Sequence, residues 1–217
     1  MMHNMVEFFL LCVTSLFTVV NPLSVTPIFT SMTSQLDRKI TRRVAGKATL
    51  TAAIILVLFA ITGEFVFRVF SITVDSLRIV GGVIFFIMGY EMIQARLSRI
   101  RFDKDNLHEM ESYTQDIAIT PIAIPLIAGP GAIASVIILM STHGGVEYHL
   151  VLFVSIALVS LVTYLFLLFA TPIMDRLGES GNKVLLRIMG LIVMVIGVEF
   201  FISGLTPILR RILMIEA

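Results

Sequence analysis

Asn21-Pro22 and, 108 residues further on, Gly129-Pro130-Gly131 each interrupt a long apolar run. The first run, Phe8 to Leu36, has 29 residues without a formal charge, and the second, Ile117 to Val146, has 30. A proline inside a helix removes a backbone hydrogen bond and clashes with the preceding turn. In a bilayer no water satisfies the freed groups, so such a break survives only when buried in protein or lining a cavity. A helix that restarts after a break offers unpaired N–H groups and a partial positive charge. Two opposed restarts would suit a carboxylate, and the facing carbonyl ends would suit an ammonium or a cation. A zwitterion meets both demands. Asn21, Pro22, Ser24 and Thr26 at the first break, with Gly129, Pro130, Gly131 and Ser135 at the second, are therefore the candidate substrate-binding residues. Gly129 and Gly131 would let the chain turn sharply and approach a ligand. The competing reading makes these prolines packing kinks, which are common in membrane helices. Thr18, Pro27, Pro121 and Pro125 interrupt the same segments and can be read as kinks alone.

Two carboxylates come next. Glu199 lies 12 residues from Arg187 and 11 from Arg210, near the middle of a span. A charged carboxylate there costs about 2.5–3.5 kcal/mol on insertion scales, so it must be protonated, paired or turned to a polar cavity. Proton coupling is the functional role such a group suggests, and bracing of a broken helix is the structural one. Glu91 stands five residues from Arg96 and can snorkel to a membrane boundary. Glu64 and Arg68 read as an i,i+4 pair at a span end.

The elements that must position these groups are membrane spans. Of the 217 residues 57% are apolar and 14% charged, net charge is +1, and mean hydropathy is +0.98. A soluble domain carries about 25% charged residues. Six spans are expected at Phe8–Ser34, Ala45–Phe67, Ser76–Ala95, Ile117–Ser141, Leu150–Met174 and Val184–Leu209. Each reaches the roughly 20 residues that a 30 Å hydrocarbon layer needs. The first seven residues contain no Lys or Arg, so a cleaved signal peptide is not expected. Twelve basic residues fall in the connections after spans one, three and five, from Arg38 to Arg187, against Arg68, Arg78, Arg210 and Arg211 on the other side. That bias predicts both termini outside the cytoplasm and a cytoplasmic linker near Gln94 to Asp116.

The 108-residue offset aligns more than the prolines. Gly82 maps to Gly190, Gly89 to Gly197, Glu91 to Glu199 and Met32 to Met140. With three spans per half, the second half must enter from the opposite face. The expected fold is all-α, six transmembrane helices in a 3+3 inverted-topology repeat (residues 8–98 and 116–211) with discontinuous helices 1 and 4. Glycines seven apart share a helix face and predict close packing.

Other classes find little support. Cys12 is alone and reads as a small buried residue. The four histidines form no metal-ligand spacing with Cys, Asp or Glu, so no metal or cofactor is expected. No Walker A, G-x-S-x-G or H-E-x-x-H motif is present, which argues against an enzyme. No basic patch interleaved with aromatics points to nucleic acid.

The stretches VVNPLSVTPIFTSMTS and TPIAIPLIAGPGAIASVIILMS, with RIVGGVIFFIMGYEMI and RIMGLIVMVIGVEF, resemble the MarC family of six-span membrane proteins across essentially the whole chain. The resemblance implies a transporter of small neutral amino acids such as glycine and alanine. It rests on Asn21, Pro22, Gly129, Pro130 and Gly131. The resulting expectation is a secondary transporter of the symport type in the inner (cytoplasmic) membrane. Coupling to protons or another cation would run through Glu199 and Glu91. Partners are the lipid bilayer and the amino acid, and a homo-oligomer stays open. A channel or exporter for another small solute is the nearest rival, and a scaffold without transport is the rival of a different class.

Overall fold

The computed structural model describes residues 2–33, 36–94, 116–142 and 144–214. Among these the chain is all-helical. Helix α1 runs Met2–Val20, α2 Pro22–Thr33, α3 Arg38–Val69 and α4 Val74–Ile93. An irregular helical segment, α5, covers Ala118–Ile127; α6 is Pro130–Thr142 and α7 is Val146–Ile212. The expected linker falls almost wholly at 95–115, outside the described residues, as does His143.

Length and hydropathy make five of these stretches able to cross a membrane: Met5–Thr30, Arg38–Val69, Val74–Ile93, Val146–Phe169 and Arg187–Ile212. A sixth is the pair Ala118–Ile127 and Pro130–Ser141, bent by 56°. Each overlaps one of the six spans read from the sequence. Helix α7 supplies two of them and is not one straight rod. A straight helix would separate Phe166 from Phe200 by about 51 Å. Yet Phe166 packs on Phe17, with ring centroids 6.5 Å apart, and Phe200 lies beside Gly131 together with Val19. The chain must double back between them.

Each span buries one stripe. On α1 the stripe is Phe8, Cys12, Leu16 and Val20, at four-residue spacing, facing the first stretch of α7. Phe8 packs edge-on against Tyr148 at 5.3 Å, and Cys12 hydrogen-bonds with Ser155. On α3 the buried stripe is small: Ala45, Ala48, Ala52, Leu56, Ala60 and Gly63. Gly63 admits the side chain of Ile137 from α6 so closely that any Cβ there would collide with it. The opposite stripe of α3, Leu50, Ile54, Leu58, Ile61 and Phe65, is more than half exposed throughout. An unbroken exposed apolar band of that length belongs in lipid rather than water.

Turn chemistry joins α3 to α4. Ser71 adopts a left-handed φ of 52°; its N–H bonds to the Arg68 carbonyl at 3.4 Å, and the Ile72 N–H reaches back to Phe67 at 2.9 Å. These are the two reverse bonds that close a helix C-terminus, with serine where glycine is usual. Thr73 then caps α4, its hydroxyl accepting from the Ser76 N–H at 3.1 Å. The expected Glu64–Arg68 pair forms at 2.7 Å and is well exposed on both sides.

Helix α4 and the last stretch of α7 touch backbone to backbone. A Cβ on Gly82 would lie 2.5 Å from the Gly197 carbonyl oxygen, and one on Gly89 would lie 2.5 Å from that of Gly190. A Cβ on Gly204 would lie 2.5 Å from the Asp75 carbonyl oxygen. As numbers rise along α4 their partners fall along α7, so the two are antiparallel.

Candidate functional site

The two breaks are built differently. At the first, the α-helical ladder continues to Asn21, whose N–H still bonds to the Phe17 carbonyl at 2.9 Å. Asn21 then takes φ = 45°, a conformation that asparagine tolerates better than most residues. Its carbonyl accepts from Ser24 at 2.9 Å and from Val25 at 3.3 Å, and its side-chain Oδ1 accepts from the Ser24 N–H at 3.3 Å. Pro22 occupies the first helical position of α2, where its fixed φ suits the helix. The break is thus one residue wide, and Asn21 caps the helix that follows. Sequence reasoning expected the N-terminus of α2 to await a ligand; its own asparagine fills that role.

The second break is wide. Prolines 121 and 125 push their predecessors to extended backbone, Thr120 at φ −129°, ψ 118° and Ile124 at φ −127°, ψ 123°. The distortion therefore begins at Thr120, nine residues before Gly129, where the sequence was read as a break centred on Gly129-Pro130. Gly129 sits in a tight turn in which a Cβ would lie 2.5 Å from the Pro125 carbonyl oxygen. The first bond of α6 runs from the Ile133 N–H to the Gly129 carbonyl at 2.9 Å. That leaves the N–H groups of Gly131 and Ala132 outside the helical ladder. Both residues are buried.

The breaks meet. A Cβ on Gly131 would lie 2.6 Å from Val19 Cγ1, two residues before Asn21. Pro22 has no N–H, so the Thr18 carbonyl, its partner in a regular helix, lacks that donor. The restart of α6 and the carbonyl end of α1 are thus neighbours. The former favours negative charge and the latter positive.

The hydroxyls divide. Thr26 donates to the Pro22 carbonyl at 2.8 Å, and Thr30 and Thr33 repeat the pattern along α2. Such back-bonding leaves only lone pairs to offer a ligand. Ser24 and Ser135 are half-buried, with no hydroxyl bond among the described residues. Ser135 follows Gly131 by four residues and shares its face of α6. Glu91 is half-buried and Glu199 exposed on the flank of α7 away from α4. Neither carboxylate has an ion pair or hydrogen bond among the described residues; Arg96, the expected neighbour of Glu91, lies outside them. No cluster of metal-ligating side chains occurs among the described residues.

Sequence reasoning missed the aromatic cover. Phe85 of α4 and Phe200 of α7 stand edge to face, centroids 5.8 Å apart at 89°. Phe200 would be 2.5 Å from a Cβ on Gly131, and Phe85 would be 3.3 Å from one on Gly129. Each phenylalanine follows a contact glycine, Gly82 or Gly197, by three residues, which is the one signal the sequence carried. The 108-residue offset could not find them, since it pairs Phe85 with Val193 and Phe200 with Met92.

Apolar spans, a lipid-facing band and broken helices that meet inside the bundle define an all-helical integral membrane protein. The profile described as MarC family integral membrane protein matches residues 6–209, and the chain belongs to that family. Similar proteins include the UPF0056 membrane protein YvbG of Bacillus subtilis, 34% identical over 88% of this chain and 90% of its own length. The UPF0056 membrane protein YhcE of Escherichia coli is 34% identical over 91% of this chain and 92% of its own. A UPF0056 membrane protein of Pyrococcus horikoshii is 33% identical over 94% and 97%. No solved structure matches the chain.

Proposed function

We propose that this protein is a secondary transporter of small neutral amino acids, of the size of glycine or alanine, in the cytoplasmic membrane, and not an enzyme. The observation that carries the reading is the meeting of the two breaks. The buried N–H groups of Gly131 and Ala132 receive the substrate carboxylate, and the Thr18 carbonyl at the end of α1 receives its ammonium. Asn21 holds the first break open while Pro22 withholds the donor that would close it. A zwitterion with a small side chain suits a site crowded by Val19, Phe85 and Phe200.

The proposal includes an inverted repeat of residues 8–98 and 116–211. The glycine contacts support it. A two-fold exchange of Gly82 with Gly190 and Gly89 with Gly197 turns the Gly82–Gly197 contact into the Gly89–Gly190 contact. Helix α4 and the end of α7 would then be symmetry mates crossing on the axis. Both termini face away from the cytoplasm, and Glu199 is the coupling carboxylate, with Glu91 as its mate.

Ligand-induced thermal stabilisation of the purified protein tests the substrate. A ligand at 100 times its Kd stabilises by about 2.7 kcal/mol. At about 2–4 °C per kcal/mol for a chain of this size, glycine or alanine raises Tm by roughly 5–11 °C. Counterflow of labelled glycine in proteoliposomes then separates a carrier, which exchanges, from a channel, which does not. Absence of any shift across the neutral amino acids refutes the substrate class.

A further inference from the structure

Phe200 lies where a ligand at the restart of α6 would have to go. Its Cε1 and Cζ would both be 2.5 Å from a Cβ on Gly131, with Val19 Cγ1 at 2.6 Å on the same point. Ring and backbone therefore touch with no side chain between them. Phe85 is nearly fully buried and meets Phe200 edge to face. Phe200 itself is half-buried. Both rings ride on the α4–α7 pair, whose glycine contacts hold the two backbones together. They are thus fixed in the part of the bundle that does not contain the breaks.

We infer that Phe200, backed by Phe85, sets the size of ligand the site accepts and closes the site when it is empty. The inference rests on the transporter reading for the ligand's identity, but not for the closure. For a ligand to reach the N–H groups of Gly131 and Ala132, the Phe200 ring must swing aside about its χ1 bond. The space it vacates, bounded by Phe85, Val19 and the α6 backbone, is what a substrate side chain can fill. A methyl group fits beside a displaced ring, and a branched side chain does not.

The test uses the full-length protein with Cys12→Ser and Val19→Cys, a near-isosteric change at the point of contact. A small methanethiosulfonate reagent should modify that cysteine at least tenfold faster when Phe200→Ala is added. Phe200→Leu, which keeps most of the packing, should give an intermediate rate. Equal rates in all three backgrounds overturn the inference. In parallel, Tm is followed against glycine, alanine, valine and leucine. The half-saturating concentration of leucine should fall at least tenfold in Phe200→Ala relative to the parent, while that of glycine rises. An unchanged leucine-to-glycine ratio overturns the size-setting role. Faster modification with no amino acid stabilising any variant supports the closure and refutes the amino-acid reading, so the two failures are distinct.

Discussion

Replacing Gly82 with alanine places a methyl carbon 2.5 Å from the Gly197 carbonyl oxygen, 2.6 Å from the Phe201 nitrogen and 2.9 Å from its Cα. All three are backbone atoms, so no rotamer change relieves the overlap. Ordinary contact needs roughly 3.5 Å, so α4 and α7 must separate by nearly an ångström. Overpacking of this kind costs about 1–3 kcal/mol, and a rigid backbone contact belongs at the upper end. At about 2–4 °C per kcal/mol, Gly82→Ala should lower Tm by roughly 4–12 °C. Gly197→Ala meets the same contact from the other side, at 2.7 Å from the Gly82 carbonyl oxygen, and should cost a similar amount. The double variant should cost less than the sum, because one separation accommodates both methyls. The coupling should be about 1 kcal/mol, within the range for contacting residues. Gly46→Ala is the control: its nearest neighbour would be Tyr164 at an ordinary 3.7 Å, so it should be neutral or stabilising. The measurement is thermal unfolding in detergent, read by loss of the monodisperse peak. Gly82→Ala as stable as the parent, or strict additivity in the double variant, would refute the close crossing.

Asn21→Gly keeps the left-handed backbone and most of the capping ability, so its Tm should stay within about 2 °C, whereas Asn21→Ala should cost about 2 kcal/mol. If Asn21→Gly also keeps glycine affinity, the amide does not touch the substrate. Ser71→Gly should raise stability by about 1 kcal/mol, since φ = 52° costs serine what it does not cost glycine; a loss of stability in thermal unfolding would contradict the turn geometry. Glu199→Gln removes titration while keeping shape: substrate exchange in proteoliposomes should survive and uptake driven by a pH gradient should fail. Gradient-driven uptake that persists in that variant removes Glu199 from the coupling role.

Span positions were legible because lipid forces long charge-free runs; their ends agree within five residues except for α3, which begins at Arg38, seven residues before the expected Ala45. The packing glycines were legible for a related reason: seven-residue spacing keeps Gly82 with Gly89, and Gly190 with Gly197, on one face. Their partners were not, because a face does not say which helix covers it. Both proline breaks were visible, but their unlike widths were not. One proline after a residue that tolerates positive φ gives a kink a single residue wide, whereas Pro121 and Pro125 together extend the backbone at Thr120 and Ile124. Sequence spacing treats Pro22 and Pro130 as equals; the residues preceding them decide how much helix is lost. Phe85 and Phe200 stayed hidden because an apolar aromatic in an apolar span carries no signal of its own.

Helix α3 is longer than a bilayer is thick. Its 32 residues extend about 48 Å against a hydrocarbon layer of about 30 Å. Lys47, the last charge of its first three turns, and Glu64, the first charge of its far end, are 17 residue steps apart, or about 26 Å. The exposed band from Leu50 to Phe65 falls within or beside that interval. The helix is therefore graduated like a ruler, with charged marks at the two edges of the membrane. Arg38, Lys39, Arg42 and Arg43 stand beyond the Lys47 mark, and all five are exposed, suited to the level of lipid phosphates. Sliding α3 along the membrane normal in either direction would drag a charge into hydrocarbon. The bundle is consequently moored in depth by this one helix, and any motion that opens the breaks must pivot or slide around α3 rather than carry it along.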